Sequence, residues 1–190
     1  MKLLEERIKK DGVILNEDIL KVDSFLNHQI DPVLMMEIGE EFARLFADTK
    51  ADRILTVESS GIAPAVMTGY AMKLPVVFAR KHKSLTLPDN VYSADVFSFT
   101  KQVNNKVLID KRFLNQDENI LIIDDFLANG QAVNGLIDIV KSAGAHIKGV
   151  GIVIEKSFQR GRKLLDENHI RVESLARIAE FKNGQVVFAD

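Results

Sequence analysis

Short apolar runs alternate along the chain with longer segments of helical period. Runs such as ILIID and VGIVI are apolar without a break, which is typical of strands buried on both faces. Five runs of this kind end at turn residues: Arg53 to Val57, Pro75 to Ala79, Lys106 to Asp110, Asn119 to Ile123 and Gly149 to Ile154. The pattern predicts a mainly parallel sheet covered by helices.

Two segments between these runs have apolar residues at helical spacing. Asp31 and Pro32 suit the cap and first position of a helix, and the apolar residues that follow recur on one face: Met35, Ile38, Phe42 and Leu45. A second helix is expected over Gln131 to Ser142, ending at Gly144. Alternating strands and helices indicate βαβ units with right-handed crossovers, so the predicted class is α/β, with a central parallel sheet flanked by helices.

Two regions depart from this pattern. Residues 84 to 104 alternate polar and apolar positions around Pro88, Asp89 and Asn90, which indicates a hairpin or a mobile flap inserted into the sheet. Residues 11 to 30 and the segment after Asn168 contain short strands and turns that can pack together as a small cap. No linker rich in Gly, Ser or Pro divides the chain, so residues 1 to 190 are expected to form one domain with this cap.

Composition narrows the class of protein. The 190 residues are 46% hydrophobic and 27% charged, with a formal net charge of -2, so neither disorder nor a dedicated nucleic-acid binder is favoured. Cysteine is absent, which excludes disulfides and thiol nucleophiles and suits a reducing compartment. The charge-rich start MKLLEERIKKDG does not resemble a signal peptide, and no apolar window is long enough for a membrane span. We expect a cytoplasmic protein without nucleic-acid or membrane partners.

The stretch NILIIDDFLANGQAV, Asn119 to Val133, carries the most chemical information. Four apolar residues lead into Asp124 and Asp125, a loop from Phe126 to Gly130 follows, and a helix begins near Gln131. Ligands of open α/β sheets bind beyond the carboxyl ends of the strands, so the two acids should face a crevice. The N–H groups at the start of the helix can hold a phosphate while the carboxylates accept from sugar hydroxyls. The pattern favours a phosphorylated sugar as ligand.

This stretch resembles the phosphoribosyl pyrophosphate motif of the type I phosphoribosyltransferases. The resemblance extends over essentially the whole chain and implies their fold, with a small hood and a flexible flap. The loop departs from the commoner form rich in Thr and Gly, and its phosphate contacts are expected from Ala128, Asn129, Gly130, Gln131 and Ala132. Backbone N–H groups and the two amide side chains replace the missing hydroxyls. The ANGQA variant is similar to the loop of bacterial members whose purine base is xanthine.

Two further elements fit the resemblance. In RILTVESSGIAP a strand runs into Ser59, Ser60 and Gly61 at a helix start, where the family binds pyrophosphate; taken alone, this segment is also an ordinary helix cap. The basic run Arg80 to Lys83 follows another strand and resembles the entry to the family's catalytic loop. Taken alone, such a run is a solvated edge. Lys81 is the residue expected to contact pyrophosphate.

The resemblance places base recognition on Leu20, Asn27 and Lys156. Xanthine has carbonyl acceptors and ring N–H donors, which a carboxamide and an ammonium can complement. Phe158 either stacks on the purine or packs against a helix. The four histidines, His28, His82, His146 and His169, show no metal-ligand spacing.

The resemblance implies transfer of the phosphoribosyl group to N9 of xanthine, with Asp124, Asp125 and Lys81 as the catalytic residues. It also implies Mg²⁺ bound through phosphoribosyl pyrophosphate, and a homodimer with its sites near the interface. Two alternatives remain open at this point. One is a phosphoribosyltransferase for guanine, hypoxanthine or adenine, and the other is a regulator that binds phosphoribosyl pyrophosphate without catalysis.

Overall fold

The computed structural model describes residues 1–16, 18–81, 90–98 and 103–189. Helices α1 to α5 are Lys2–Asp11, Pro32–Leu45, Ile62–Met72, Gln131–Ser142 and Gly161–Glu167. Strands β1 to β10 are Val13–Ile14, Leu20–Lys21, Arg53–Val57, Val76–Ala79, Val91–Ser98, Val103–Asp110, Asn119–Leu127, His146–Lys156, Val172–Lys182 and Gln185–Phe188. A π-helical turn spans Asp23–Asn27, and a 3₁₀ turn spans Lys111–Phe113.

A central sheet organises the described part of the chain, in the order β10-β9-β8-β7-β3-β4. All neighbouring strands run parallel except β10, which is antiparallel to β9. Helices cover both faces, so the predicted α/β class with a mainly parallel sheet is confirmed. Both predicted helices are present, and the Asp31 side chain accepts from the Val33 and Leu34 N–H groups at the start of α2.

One predicted strand has different partners. Lys106 to Asp110 was expected in the parallel sheet, but it forms part of β6, which pairs with β5 as an antiparallel hairpin. Its apolar residues Val107, Leu108 and Ile109 are still buried, and Leu108 exchanges backbone hydrogen bonds with Arg80. The hairpin expected within residues 84 to 104 thus runs from 91 into 110, and residues 82–89 and 99–102 lie outside the described residues.

The two ends of the chain also differ from the prediction. The segment after Asn168 was expected to join the cap, yet β9 and β10 extend the central sheet. Residues 11 to 30 do contain short strands and a turn, since β1 pairs with β2 ahead of the π-helical turn. Helix α1 was not predicted; it buries Leu4 and Ile8 against the same face as α2.

Two hydrophobic cores lie on opposite faces of the sheet. One joins α4, the β5–β6 hairpin and the α5 residue Leu165 to β3, β7 and β8. The other joins α1, α2 and the π-helical turn to the opposite sheet face, which includes Ile123 and Ile178. Strands β7 and β8 are therefore covered on both faces. Among the described residues, no helix combines the length and hydropathy required to cross a membrane.

A salt bridge between Arg53 and Glu118 joins the amino ends of β3 and β7. Arg53 donates two hydrogen bonds to Glu118, at 2.8 and 3.1 Å, and Asn115 donates two more. The Arg53 hydrogen bonds lead the causes that lower the pKa of Glu118 to about 2, against the opposing effect of burial. The ionised form of Glu118 therefore stabilises the fold at neutral pH.

We expect Glu118→Gln to lower the free energy of unfolding by about 2 kcal/mol near neutral pH, because charge-assisted hydrogen bonds are lost. A lowered folded-state pKa contributes stability above the unfolded-state value, so the difference should shrink as the pH falls from about 4.5 toward about 2. Thermal unfolding of both proteins across this range measures it. Glu167→Gln, in an exposed 3.8 Å pair with Lys163, is the control and should change stability by under about 0.5 kcal/mol. A pH-independent difference would contradict the assignment.

Candidate active site

Asp124 and Asp125 lie within β7, near its carboxyl end, rather than after the strand. Strand β7 continues to Leu127, so the loop is shorter than predicted and spans residues 128–130. Asp124 was expected in a solvated crevice, but its side chain is 2% exposed; Asp125 is half-buried. The Asp125 N–H donates to Asp124 Oδ1 at 3.0 Å, which fixes the first carboxylate against the second residue's backbone.

Burial controls the protonation of this pair. Burial raises the pKa of Asp124 well above its usual range, and repulsion from Asp125 raises it further. Burial also raises the pKa of Asp125. The positive charge of Lys81 opposes the rise of the pKa at both carboxyls, so the structure brings this predicted residue into the field of the pair. The site therefore gains stability from groups that donate hydrogen bonds or bring positive charge to the two acids.

The loop after β7 has the geometry of an anion-binding turn. Gly130 has φ +81°, a left-handed conformation, and precedes the 12-residue helix α4, which no side chain caps. The loop is braced from behind, because the Gly161 N–H donates to the Ala128 carbonyl at 3.0 Å. A Cβ on Gly161 would lie 2.4 Å from that oxygen and 2.9 Å from Gly130 N. The start of α4, with Gln131 and Ala132, thus presents N–H groups and the positive helix end.

A second loop lies directly against Asp124. A Cβ on Gly61 would stand 2.3 Å from Thr56 Oγ1 and 2.7 Å from Asp124 Oδ1, so only glycine permits this approach. Gly61 begins α3 with no side-chain cap, and Ser59 is exposed while Ser60 is half-buried. The serines therefore do not serve as the ordinary helix cap that was the alternative interpretation. Because β3 is the neighbour of β7, two uncapped helix starts meet at one edge of the sheet.

Glu58 links this second loop to the basic run. Its carboxylate accepts from the Lys81 N–H at 2.6 Å and lies 3.0 Å from Arg80 Nε. The Lys81 side chain is exposed. The role of Glu58 was not predicted; its only signal in the sequence is its place at the end of β3. His82 and Lys83 lie outside the described residues.

Lys156 joins the end of β8 to residues near the amino terminus. Its Nζ donates to the Asp18 carbonyl at 2.5 Å and lies 5.6 Å from the centre of the Phe126 ring. Burial lowers the pKa of Lys156, and the charge of Asp18 partly opposes this. Because Phe126 follows Asp125 directly, this ring contact places the lysine close to the acid pair. Phe126 was not singled out from the sequence, although an aromatic residue directly after the acids was its signal.

The remaining base candidates have different surroundings. Leu20 is 6% exposed and packs in the second core, whereas Asn27 ends the π-helical turn with an exposed side chain. Phe158 is 40% exposed and meets Phe181 of β9 edge-on, with ring centres 5.6 Å apart. It therefore packs on the sheet rather than on a helix, and Phe126 is the aromatic ring beside Lys156.

Two bacterial proteins are similar to this chain over almost its full length. The xanthine phosphoribosyltransferase of Latilactobacillus sakei subsp. sakei is 67% identical over 190 residues, covering 100% of this chain and 97% of that protein. The enzyme of the same name from Leuconostoc mesenteroides subsp. mesenteroides is 66% identical over 188 residues, covering 99% of this chain and 100% of that protein.

Solved structures share the fold. Adenine phosphoribosyltransferase from Rhodothermus marinus gives a TM-score of 0.75 at 18% identity, covering 94% of this chain and 100% of that chain. The enzyme from Saccharomyces cerevisiae, complexed with adenine and an imino-altritol bisphosphate, gives 0.72 at 21% identity, covering 92% and 99%. Residues 27–188 match the family described as "Phosphoribosyl transferase domain". With the acid pair, the two uncapped helix starts and this match in one chain, the protein belongs to the phosphoribosyl transferase family.

Proposed function

We propose that the chain is a xanthine phosphoribosyltransferase, a pentosyltransferase of purine salvage. It transfers the 5-phosphoribosyl group from phosphoribosyl pyrophosphate to N9 of xanthine, giving xanthosine 5′-monophosphate and pyrophosphate. The observation that carries this proposal is that the buried Asp124 and the half-buried Asp125 meet two uncapped helix starts at the carboxyl edge of the sheet. The full-length relatives at 67% and 66% identity support xanthine as the base.

Each part of phosphoribosyl pyrophosphate has a complementary surface at this edge. The loop Ala128 to Ala132 binds the 5′-phosphate through backbone N–H groups and the amides of Asn129 and Gln131. The loop Ser59 to Gly61 binds the pyrophosphate through backbone N–H groups and the two serine hydroxyls. The carboxylates of Asp124 and Asp125 accept from the ribose hydroxyls that lie between these two anions.

The transfer requires charge to separate at the anomeric carbon. N9 of the purine attacks this carbon with inversion while the bond to pyrophosphate breaks, and positive charge builds on the ribosyl ring. The proton of the purine ring N–H passes to water. Asp124 and Asp125 stabilise that charge through their field and through the ribose hydroxyls, and Lys81 stabilises the leaving pyrophosphate. No covalent intermediate with the protein is needed.

Magnesium fits this site as a companion of the substrate. Among the described residues, no three His, Asp or Glu side chains group closely enough to hold a metal ion. Mg²⁺ prefers oxygen ligands and retains several waters, so pyrophosphate, ribose oxygens and water are its expected ligands. When bound, it supplies positive charge near the departing pyrophosphate.

The base is proposed to lie between Lys156 and the amino-terminal segment. Lys156 reaches O6 and N7 of the purine, Asn27 donates to the carbonyl at C2, and Leu20 supports the apolar wall. Residues 11 to 30 form the cap over this base within a single domain of residues 1 to 190; the 2.5 Å contact of Lys156 with the Asp18 carbonyl supports this arrangement.

The proposal includes a homodimer in the cytoplasm. Two apolar side chains of α3 are open to solvent, Val66 at 47% and Tyr70 at 77%, and they line one surface groove together with Leu74 and Val76. An apolar patch of this kind favours association with a second copy. The absence of cysteine is compatible with a reducing compartment.

We expect Tyr70→Glu to convert the dimer to a monomer, because a charge would replace an aromatic ring at the patch. Sedimentation velocity measures the mass of the wild type and the variant. Phe113→Glu is the control: Phe113 is 49% exposed beside the core on the opposite sheet face and should leave the dimer intact. A monomeric wild type, or a Tyr70→Glu variant that is still a dimer, would contradict the proposed dimer interface.

We expect Asp124→Asn and Asp125→Asn to lower kcat by about 10²-fold or more, because the carboxylates act on charge that develops in the transition state. Asp124→Asn should also raise the melting temperature at about pH 8, since the carboxyl's raised pKa makes its ionised form costly there. That gain should vanish below about pH 4, where the carboxyl is protonated in both states. Asp138→Asn, on the exposed side of α4, is the control. Wild-type turnover in both site variants would exclude the acid pair from the reaction.

A panel of purine bases tests the reaction and its selectivity together. With phosphoribosyl pyrophosphate and Mg²⁺, we expect base-dependent pyrophosphate release to be fastest with xanthine. Asn27→Ala should narrow the preference for xanthine over hypoxanthine by about one power of ten in kcat/KM, because the donor to the C2 carbonyl is lost. Lys156→Ala should depress activity on all 6-oxopurines.

The panel also separates the competing functions. A preference for adenine or guanine would assign another purine, and binding of phosphoribosyl pyrophosphate without turnover would indicate a sensor. An unaltered base ratio in Asn27→Ala would place base selection elsewhere.

A further inference from the structure

A buried carboxylate at the end of β8 is unused by the proposed reaction. Glu155 is 0% exposed and accepts hydrogen bonds from Ser174 Oγ at 2.5 Å, Ser157 Oγ at 2.7 Å and Arg162 at 3.1 Å. Arg177 Nε forms an ion pair with the same carboxylate at 3.5 Å. Burial by itself raises the pKa of Glu155, but these hydrogen bonds and the Arg162 charge outweigh it and hold the pKa below its usual value. The carboxylate is therefore ionised at neutral pH.

The four partners of Glu155 come from separate elements. Ser174 and Arg177 belong to β9, Ser157 lies in the turn after β8, and Arg162 lies in the first turn of α5. Arg162 also donates to Asp166 one turn further along α5, at 3.0 Å. The Glu155 carboxylate thus fixes the end of β8 to the neighbouring strand and to the start of α5.

The same carboxylate lies between the two ends of the active site. On one side, the next residue is Lys156, whose ammonium contacts the Asp18 carbonyl and the Phe126 ring. On the other side, Arg162 follows Gly161, which braces the phosphate loop at the Ala128 carbonyl and Gly130 N.

We propose that Glu155 is a positioning residue that sets the distance between the base-binding lysine and the 5′-phosphate loop. The proposal rests on the transfer reaction above, in which N9 must meet the anomeric carbon of a ribose anchored by its phosphate. Reactions between two bound groups are sensitive to such spacing: a displacement of about 1 Å can reduce the rate by about 10²-fold. Glu155 touches neither substrate and acts through Lys156 and Gly161.

A purely structural role predicts different kinetics. If Glu155 only stabilises the fold, its loss reduces the fraction of active protein, which lowers the apparent kcat and leaves both KM values unchanged. If Glu155 positions the two ends, the folded variant has altered KM values for xanthine and for phosphoribosyl pyrophosphate, together with a lower kcat.

The test compares Glu155→Gln with Asp166→Asn, which removes the other carboxylate partner of Arg162. Kinetic constants are measured well below the melting temperature, and the affinity for phosphoribosyl pyrophosphate is measured by calorimetry with Mg²⁺. We expect Glu155→Gln to raise both KM values by about three- to ten-fold and to lower kcat by about ten-fold. Asp166→Asn should stay within about two-fold of the wild type.

A milder variant keeps the test valid if Glu155→Gln does not fold. Ser157→Ala removes a single donor and should raise both KM values by about three-fold, which is more than the change allowed to Asp166→Asn. Unchanged KM values in the folded variant would overturn the positioning role. Turnover of xanthine by the wild type tests the proposed function separately. The dissociation constant for phosphoribosyl pyrophosphate, compared by calorimetry between variant and wild type, tests Glu155 even if the base is not xanthine.

Discussion

The Asp124 carboxylate is held in a buried position between the end of β7 and the loop that follows β3. Its Oδ1 accepts from the Asp125 N–H and lies so close to Gly61 that no side chain fits there. This contact joins the two loops and the acid pair into one surface. It is also costly, because burial and the neighbouring carboxylate both raise the pKa of Asp124. A site of this kind is stabilised when a ligand brings hydroxyl donors and positive charge.

The parallel sheet explains why separate parts of the sequence meet here. Strands β3, β4, β7 and β8 all run in the same direction, so the residues at their carboxyl ends lie along one edge. The loop after β3, Lys81 after β4, the acids of β7 and Lys156 of β8 follow from that single geometry. The opposite ends of β3 and β7 are held together by the hydrogen-bonded ion pair of Arg53 and Glu118.

Features set by local sequence could be predicted, and features set by distant partners could not. The Asp31–Pro32 start of α2 and the range of α4 follow from capping and helical periodicity. The two helix starts at the site follow from Gly61 and Gly130, which directly precede α3 and α4. An apolar run does not specify its neighbour, so Lys106 to Asp110 was placed in the wrong sheet. The burial of Asp124 depends on Gly61, which is far away in the sequence, and the contact of Lys156 with Asp18 spans most of the chain.

We propose that one molecule of phosphoribosyl pyrophosphate spans both helix starts across the acid pair. Phosphorus NMR of this substrate, titrated with the protein and Mg²⁺ in the absence of a base, measures that contact directly. We expect the resonances of the 5′-phosphate and of both pyrophosphate phosphorus atoms to shift together at one stoichiometric site. A shift confined to the 5′-phosphate, or to the pyrophosphate, would contradict it.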